Sequence, residues 1–239
     1  DELGLEPPST WGEFAKIAKA MTRDNAYGFG LMGSRDRSAA LRILPVLWTY
    51  GVKELAIDDK GEYYTELDSP GAIEAFTMLH SLYKNGYTPP GVLETSYGEA
   101  VALMAQERIG MLISASHTYG AVLERNPALD GKISGFAIPT GTVQSTRLSS
   151  HGYAISKDSP HVEEAVKYIQ FLYSTKNLVE WNTVTGRLPA RPEAANSPEF
   201  DTERYGLFME AAEHGEFEVS SPFYGDVLLI IADALQQVL

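Results

Sequence analysis

The chain has 239 residues, 44% hydrophobic and 21% charged, enough to bury a core in one large domain or two small ones. Lys and Arg number 19 against 32 Asp and Glu, and the resulting formal net charge of −13, with no basic cluster, argues against nucleic acid as a partner. The absence of cysteine excludes disulfides, thiolate metal sites and cysteine nucleophiles, and no apolar run reaches membrane-spanning length.

In chain order, the polar opening DELGLEPPST has no apolar leader, so the leader of an exported protein would lie upstream of it. Thr10 with Glu13 forms a capping box for a first helix, whose Trp11, Phe14, Ile17, Ala18 and Met21 share one face. A short strand is predicted at 27–32, then an apolar helix at 41–50 closed by Gly51. A hairpin follows over 55–67, turning at Asp59-Lys60-Gly61. Ser69 and Pro70 open the next helix, with Ile73, Phe76, Leu79 and Tyr83 expected on its buried side and Gly86 at its end.

A helix at 97–106 leads into a strand at 109–114, a short helix near 119–125 and a strand at 133–138. The polar, Gly/Thr/Ser-rich stretch 141–150 reads as a linker between lobes. A strand at 152–156, a long amphipathic helix at 160–173, a helix ending near Gly186 and a Pro-containing loop at 187–198 come next. Two helices, 199–214 and 223–239, finish the chain. Strands alternating with helices imply α/β layers. The strands are few and short for so much helix, and the last helix stops without a cap, which suggests a truncated chain.

The catalytic patterns mostly fail. Gly28, Gly30 and Gly33 spell G-x-G-x-x-G, but polar residues precede them and they fall inside a predicted strand. A strand packed closely on a neighbour explains them better than a dinucleotide turn. The five histidines, His80, His117, His151, His161 and His214, lack metal-ligand spacing, and no cofactor is implied. Glu163-Glu164 reads as helix-dipole chemistry. More informative are polar-aromatic clusters at element ends: Trp48–Tyr50, Ser114–Tyr119, Ser149–His151 and Ser221–Tyr224. Aromatic rings cover the apolar faces of sugars while Ser, His and Arg bond hydroxyls, and a polar-solute pocket needs both.

The order of phrases PPSTWGEFAKIAKAMT, YGF, LDSPGAIEAFTMLHSLYKNGYTPP, YGEAVALMAQERIGMLIS and HGYAISKDSPHVEEAVKYIQFLYSTKNLVEWNTVTGRLPAR covers nearly the whole chain. It resembles the maltose-binding-protein-like family of extracellular solute-binding proteins, the sugar-binding partners of ATP-binding-cassette importers. The resemblance implies a two-lobed α/β protein of the periplasmic-binding-protein-like type II fold that closes on ligand by hinge motion. It implies that 1–140 and 187–239 belong mainly to the C-terminal lobe, that 141–149 is the hinge linker, and that 150–186 belongs to the N-terminal lobe. Upstream elements and a final helical segment of a complete member are expected outside this chain.

The resemblance also implies ligand residues. Ser116, His117 and Tyr119 would meet ligand from the loop where the family often has a Trp, so a smaller or more polar solute is allowed. Tyr224 would stack on sugar, Ser150 and His151 would sit near the hinge crossing, and Arg187 would clamp a hydroxyl or carboxylate. Arg35, Arg37 and Ser38 follow the YGF strand as further candidates. The expected function is capture of a sugar or oligosaccharide, outside the cytoplasm in the periplasm or lipid-anchored at the cell surface, with delivery to a membrane permease and no catalysis. A glycoside hydrolase or a ligand-sensing adaptor on the same fold are the alternatives. The acidic composition disfavours a strongly anionic solute unless a local arginine pair overrides it.

Overall fold

A computed structural model describes residues 3–239, apart from the side chains of residues 203 and 204; the first two residues of the polar opening lie outside it. Thr10 caps helix α1 (Trp11–Met21) with the expected capping box, in which the Thr10 hydroxyl accepts from the Glu13 amide while the Glu13 carboxylate takes the Thr10 amide. Trp11, Phe14 and Ala18 are its buried stripe. Strand β1 (Tyr27–Phe29) lies against α1, and Asp36 caps α2 (Arg37–Thr49), accepting from the Ala39 amide at 2.9 Å. The hairpin is formed by β2 (Ala56–Ile57) and β3 (Tyr63–Tyr64), closed by the Gly61 amide on the Asp58 carbonyl.

Helix α3 (Pro70–Lys84) starts at Ser69, and α4 (Tyr97–Ala105) starts at a second capping box, Ser96 with Glu99. Strand β4 (Ile109–Met111) pairs parallel with β1, Tyr27 opposite Ile109 and Phe29 opposite Met111. After α5 (His117–Arg125), a two-residue strand β5 (Thr146–Arg147) pairs parallel with β6 (Gly215–Glu216). Between them run α6 (Val162–Leu172), α7 (Thr175–Thr185), the single turn α8 (Pro192–Ala195) and α9 (Glu203–Ala212). Helix α10 (Tyr224–Val238) ends the chain, packed on α2 and α3.

The main core gathers Trp11, Phe14, Phe29, Leu44, Leu47, Trp48, Leu79, Ile231 and Leu235 from α1, β1, α2, α3 and α10. Each such side chain contributes about 1.5–3 kcal/mol by leaving water. Trp11, Phe14 and Phe29 meet edge to face with centroids 5.4 and 5.1 Å apart, and the Trp11 indole donates to the buried Thr49 hydroxyl at 2.9 Å. The three glycines of G-x-G-x-x-G serve close packing. A Cβ on Gly28 would overlap the backbone of Ala18, one on Gly30 would overlap the Ile109 side chain, and one on Gly33 would press on the Val92 carbonyl.

Several predicted elements come out differently. Strands 27–32 and 109–114 are ordered as strands for three residues each, because the Gly30 amide makes the last bond to Met111 and the Gly33 and Ser34 amides then turn to the Val92 and Thr95 carbonyls. The segments 133–138 and 152–156 form no strand among the described residues, since no neighbouring strand offers them a ladder. The stretch 141–149, expected to link the lobes, is anchored along its length without that bearing on where it crosses. Thr142 and Val143 amides donate to the Thr49 carbonyl, Ser145 is buried and β5 lies within the stretch. In α3 the buried stripe is Ala72, Ala75, Leu79 and Leu82, and Ile73 is exposed. The alanines let the helix approach closely, which rotates Ile73 outward.

Segment 151–186 has a different character. Helix α6 is amphipathic, yet none of its residues is buried, and Tyr153, Val162, Val166, Tyr168, Phe171, Trp181 and Val184 are all exposed.

Candidate ligand-binding site

Because β1 and β4 run parallel, their carboxyl ends share one edge, and the loops that follow them converge there, where ligands of open α/β sheets bind. The loop after β1 delivers α2, and the loop after β4 delivers α5. A small void lined by Gly30, Leu31, Met32, Arg42 and Ile113 marks the junction.

Arg42 is the centre of the arrangement. Its stem runs along the core side of α2, and its guanidinium lies 4.8 Å over the Tyr97 ring. Its Nη1 donates to the Ser38 hydroxyl and carbonyl, each at 2.9 Å. Burial and the nearby Arg147 charge lower its pKa, while Tyr97 and Asp36 act the other way; it stays protonated at neutral pH. The Tyr97 ring in turn meets the His117 ring at 5.7 Å, and its hydroxyl bonds the Thr118 hydroxyl at 3.2 Å. Helix α7 ends on Gly186, in the left-handed region at φ 65°, and this turn backs onto α5. A Cβ on Gly186 would lie 3.5 Å from the His117 Cα and the Ser116 carbonyl. Arg187 therefore leaves the helix beside His117.

Burial lowers the His117 pKa below 6.5, helped by Arg187, Arg42 and His151. A histidine held neutral by the fold binds fewer protons than in the unfolded chain. Its contribution to stability is therefore full above pH 6.5 and is lost as pH falls through 6.5 toward the folded value. An NMR titration of the His117 imidazole should give a midpoint below 6.5. A midpoint at or above that value contradicts the placement.

A second group adjoins the first. Glu54 is 2% exposed and accepts from the Trp48 indole at 2.5 Å and from the Tyr224 hydroxyl. Burial and Glu54 together raise the Tyr224 pKa well above its ordinary value. Arg147 pairs with Glu218, both mostly buried. The Arg37 guanidinium lies against Gly225, where any Cβ would strike it.

The sequence-derived candidates thus fall into groups. His117, Ser116 and Arg187 lie together with Arg42 and Tyr97, His151 is near enough for its charge to act on His117, and Ser38 orients Arg42. Arg37 and Tyr224 lie at the start of α10. Ser150 is exposed one residue before His151. Tyr119 points elsewhere, donating to Asp130 at 2.9 Å, and Arg35 pairs with Asp233 on α10. Arg42, Tyr97 and Arg147 are absent from the sequence reading. A lone arginine in the apolar run LRILPVLW is the signal that marks Arg42; Arg147 is hidden in the stretch read as linker. A wider groove at the opposite end of β1 and β4, lined by Met21, Tyr27, Met104, Ile109 and Ile133, holds none of the candidates. Among the described residues no group of three or more His, Cys, Asp or Glu could hold a metal ion, and no helix is long and apolar enough to cross a membrane.

Comparison with known proteins gives a consistent result. The family described as bacterial extracellular solute-binding protein matches residues 1–205. A Brucella abortus (strain 2308) protein, named as a binding protein, is 28% identical over the whole chain, which spans 58% of its length. The multiple sugar-binding protein of Streptococcus mutans is 23% identical over 77% of the chain and 45% of that protein. Among solved structures, a solute-binding protein of an ABC transporter from Thermotoga lettingae, bound with α-D-tagatose, superposes with a TM-score of 0.89 at 24% identity. It is covered to 62% by 99% of this chain. The Thermus thermophilus maltotriose-binding protein superposes at 0.79 with 19% identity, over 99% of this chain and 62% of that one. These likenesses establish the type II periplasmic-binding-protein fold expected from the sequence.

Proposed function

The chain belongs to the bacterial extracellular solute-binding protein family, and from that premise we propose that it forms one wall of a sugar-capturing cleft in an extracytoplasmic receptor serving an ATP-binding-cassette importer. The receptor works in the periplasm or lipid-anchored at the cell surface and passes its cargo to a membrane permease. The observation that carries the reading is the convergence of His117, Tyr97, Arg42 and Arg187 beyond the carboxyl ends of β1 and β4. Rings and hydrogen-bond donors stand side by side there, which is what a polyhydroxylated solute requires.

We assign 1–140 and 187–239 mainly to one lobe and 150–186 to the other, with 141–149 at the crossing. The uncovered apolar face of α6 and the exposed Tyr153, Trp181 and Val184 support this division. The chain spans under two thirds of its relatives, and the remaining length is the natural cover for that face.

Binding without turnover fits the carboxylates near the cluster. Glu54, Glu218 and Asp36 are each held by protein donors, and among the described residues these three do not form a free acid–base pair. Calorimetry of the intact protein with sugars should show saturable binding in the micromolar range, about −8 kcal/mol, and no product on prolonged incubation. His117→Ala should weaken binding about tenfold, the worth of roughly 1.4 kcal/mol, while the protein stays folded at the assay temperature by circular dichroism. Tyr119→Phe should stay within about twofold, since the residue faces Asp130. Turnover abolished by a single carboxylate substitution would overturn the receptor reading.

A further inference from the structure

The protein carries a net charge of −13, which works against an anionic solute at a distance. Around the candidate site the balance is reversed. Arg42, Arg147 and Arg187 are drawn together from α2, β5 and the loop after α7, and Arg37 lies apart from them against Gly225 at the start of α10. Only Arg147 has a carboxylate partner there, Glu218. Asp36, the acidic group nearest Arg42, gives its oxygens to the Ser34 hydroxyl and the Ala39 amide at the start of α2. Arg42 uses Nη1 on Ser38, while its Nε and Nη2 make no hydrogen bond among the described residues. The side chains of Arg37 and Arg187 have no hydrogen bond or ion pair among those residues at all.

A guanidinium that is half-buried and stacked on Tyr97 has given up water, and feels Asp36 only through space, without an anion bonded to it. Holding Arg42 and Arg187 near one another with no carboxylate bonded to either costs stability. The Arg42 fork is fixed in place by Tyr97 and Ser38, as bidentate recognition of a planar anion requires. Hydroxyls alone need no such concentration of charge.

We propose that the solute is an acidic sugar, whose carboxylate or phosphate is received by Arg42 and Arg187 at the carboxyl ends of β1 and β4 while its ring lies toward Tyr97 and His117. The proposal rests on the receptor reading above and narrows it. Charge-assisted hydrogen bonds are roughly twice as strong as neutral ones, so an acidic sugar should bind at least about thirtyfold more tightly than its neutral counterpart.

The test is calorimetry on the intact protein with matched sets: D-glucose, D-glucuronate and D-glucose 6-phosphate; D-galactose and D-galacturonate; maltotriose and trigalacturonate. Preference for an acidic member that weakens with added salt supports the proposal. The glucuronate and glucose 6-phosphate arms tell a carboxylate from a phosphate as its source. Arg187→Gln, in a loop where folding is not at stake, should cut the acidic-to-neutral preference about tenfold. Arg42→Lys should do the same, because an ammonium cannot replace the fork. Equal or tighter binding of neutral members overturns the acidic-sugar proposal and leaves the receptor reading standing. Failure of every sugar to bind overturns both.

Discussion

Gly28→Ala is expected to lower the stability of the intact protein by about 3 kcal/mol, at the upper end of the range for an overpacked core. The new Cβ would fall on the carbonyl and Cα of Ala18 in α1. A flexible side chain could swing aside, but helix backbone cannot. Strand β1 would have to lift away from α1, loosening the bond from the Gly28 amide to the Thr22 hydroxyl at 2.9 Å and opening the edge-to-face stack of Phe14 on Phe29. Urea unfolding followed by tryptophan fluorescence reads the loss. Gly206→Ala makes the opposite control. That glycine lies exposed within α9 with nothing inside 4 Å of the position a Cβ would take. Alanine there should be neutral or stabilise by up to about 1 kcal/mol. A Gly28→Ala loss below about 1 kcal/mol would mean that β1 does not sit where the structure puts it.

Glu54→Ala should cost about 2–3 kcal/mol, because it strands a buried donor, the Trp48 indole N–H, and a half-buried one, the Tyr224 O–H. Relief from burying a carboxylate offsets part of that cost. Glu54→Gln should cost about 1 kcal/mol or less. Its amide oxygen can still accept from Trp48, and the Tyr224 hydroxyl can turn round to accept from the amide N–H. The gap between the two variants is the diagnostic quantity, and thermal denaturation of both measures it. Equal losses would show that side-chain volume at position 54 matters and the hydrogen bonds do not. Since Tyr224 opens α10, which packs on α2, loosening this bond should also free the end of α10 where Arg37 rests on Gly225.

The legible part of the fold was local. The capping box at Thr10, the Ser69 cap, the hairpin turn at Asp59-Lys60-Gly61 and the Gly186 stop depend on residues within a few positions of one another, and all stand in the structure; the second capping box, Ser96 with Glu99, is equally local but went unread. The glycines of G-x-G-x-x-G were read as packing against a neighbour, and the neighbours proved to be Ala18, Ile109 and Val92. Strand extents at 133–138 and 152–156 were not legible, because a strand exists only where another offers a ladder, and that partner is chosen far away in sequence. The face of α3 was misjudged at Ile73 because the alanines beside it set how near the helix could come.

The candidate site divides the same way. Residue chemistry and phrase order were enough to single out His117, Arg187 and Tyr224 and the family to which the chain belongs. Their neighbours were not. Arg42 is 145 positions from Arg187, and only the parallel pairing of β1 with β4 and the approach of the Gly186 turn to the start of α5 bring both to His117. The partner of the Tyr224 hydroxyl, Glu54, comes from 170 positions away and has no signal in the sequence around either residue. The sequence by itself determined membership of the solute-binding family, a chain without cysteine, an acidic composition and helices begun by their own caps. The tertiary structure alone decided that an acidic chain gathers unneutralised arginines at one edge, because charge density at a site depends on distances in space, which composition averages away.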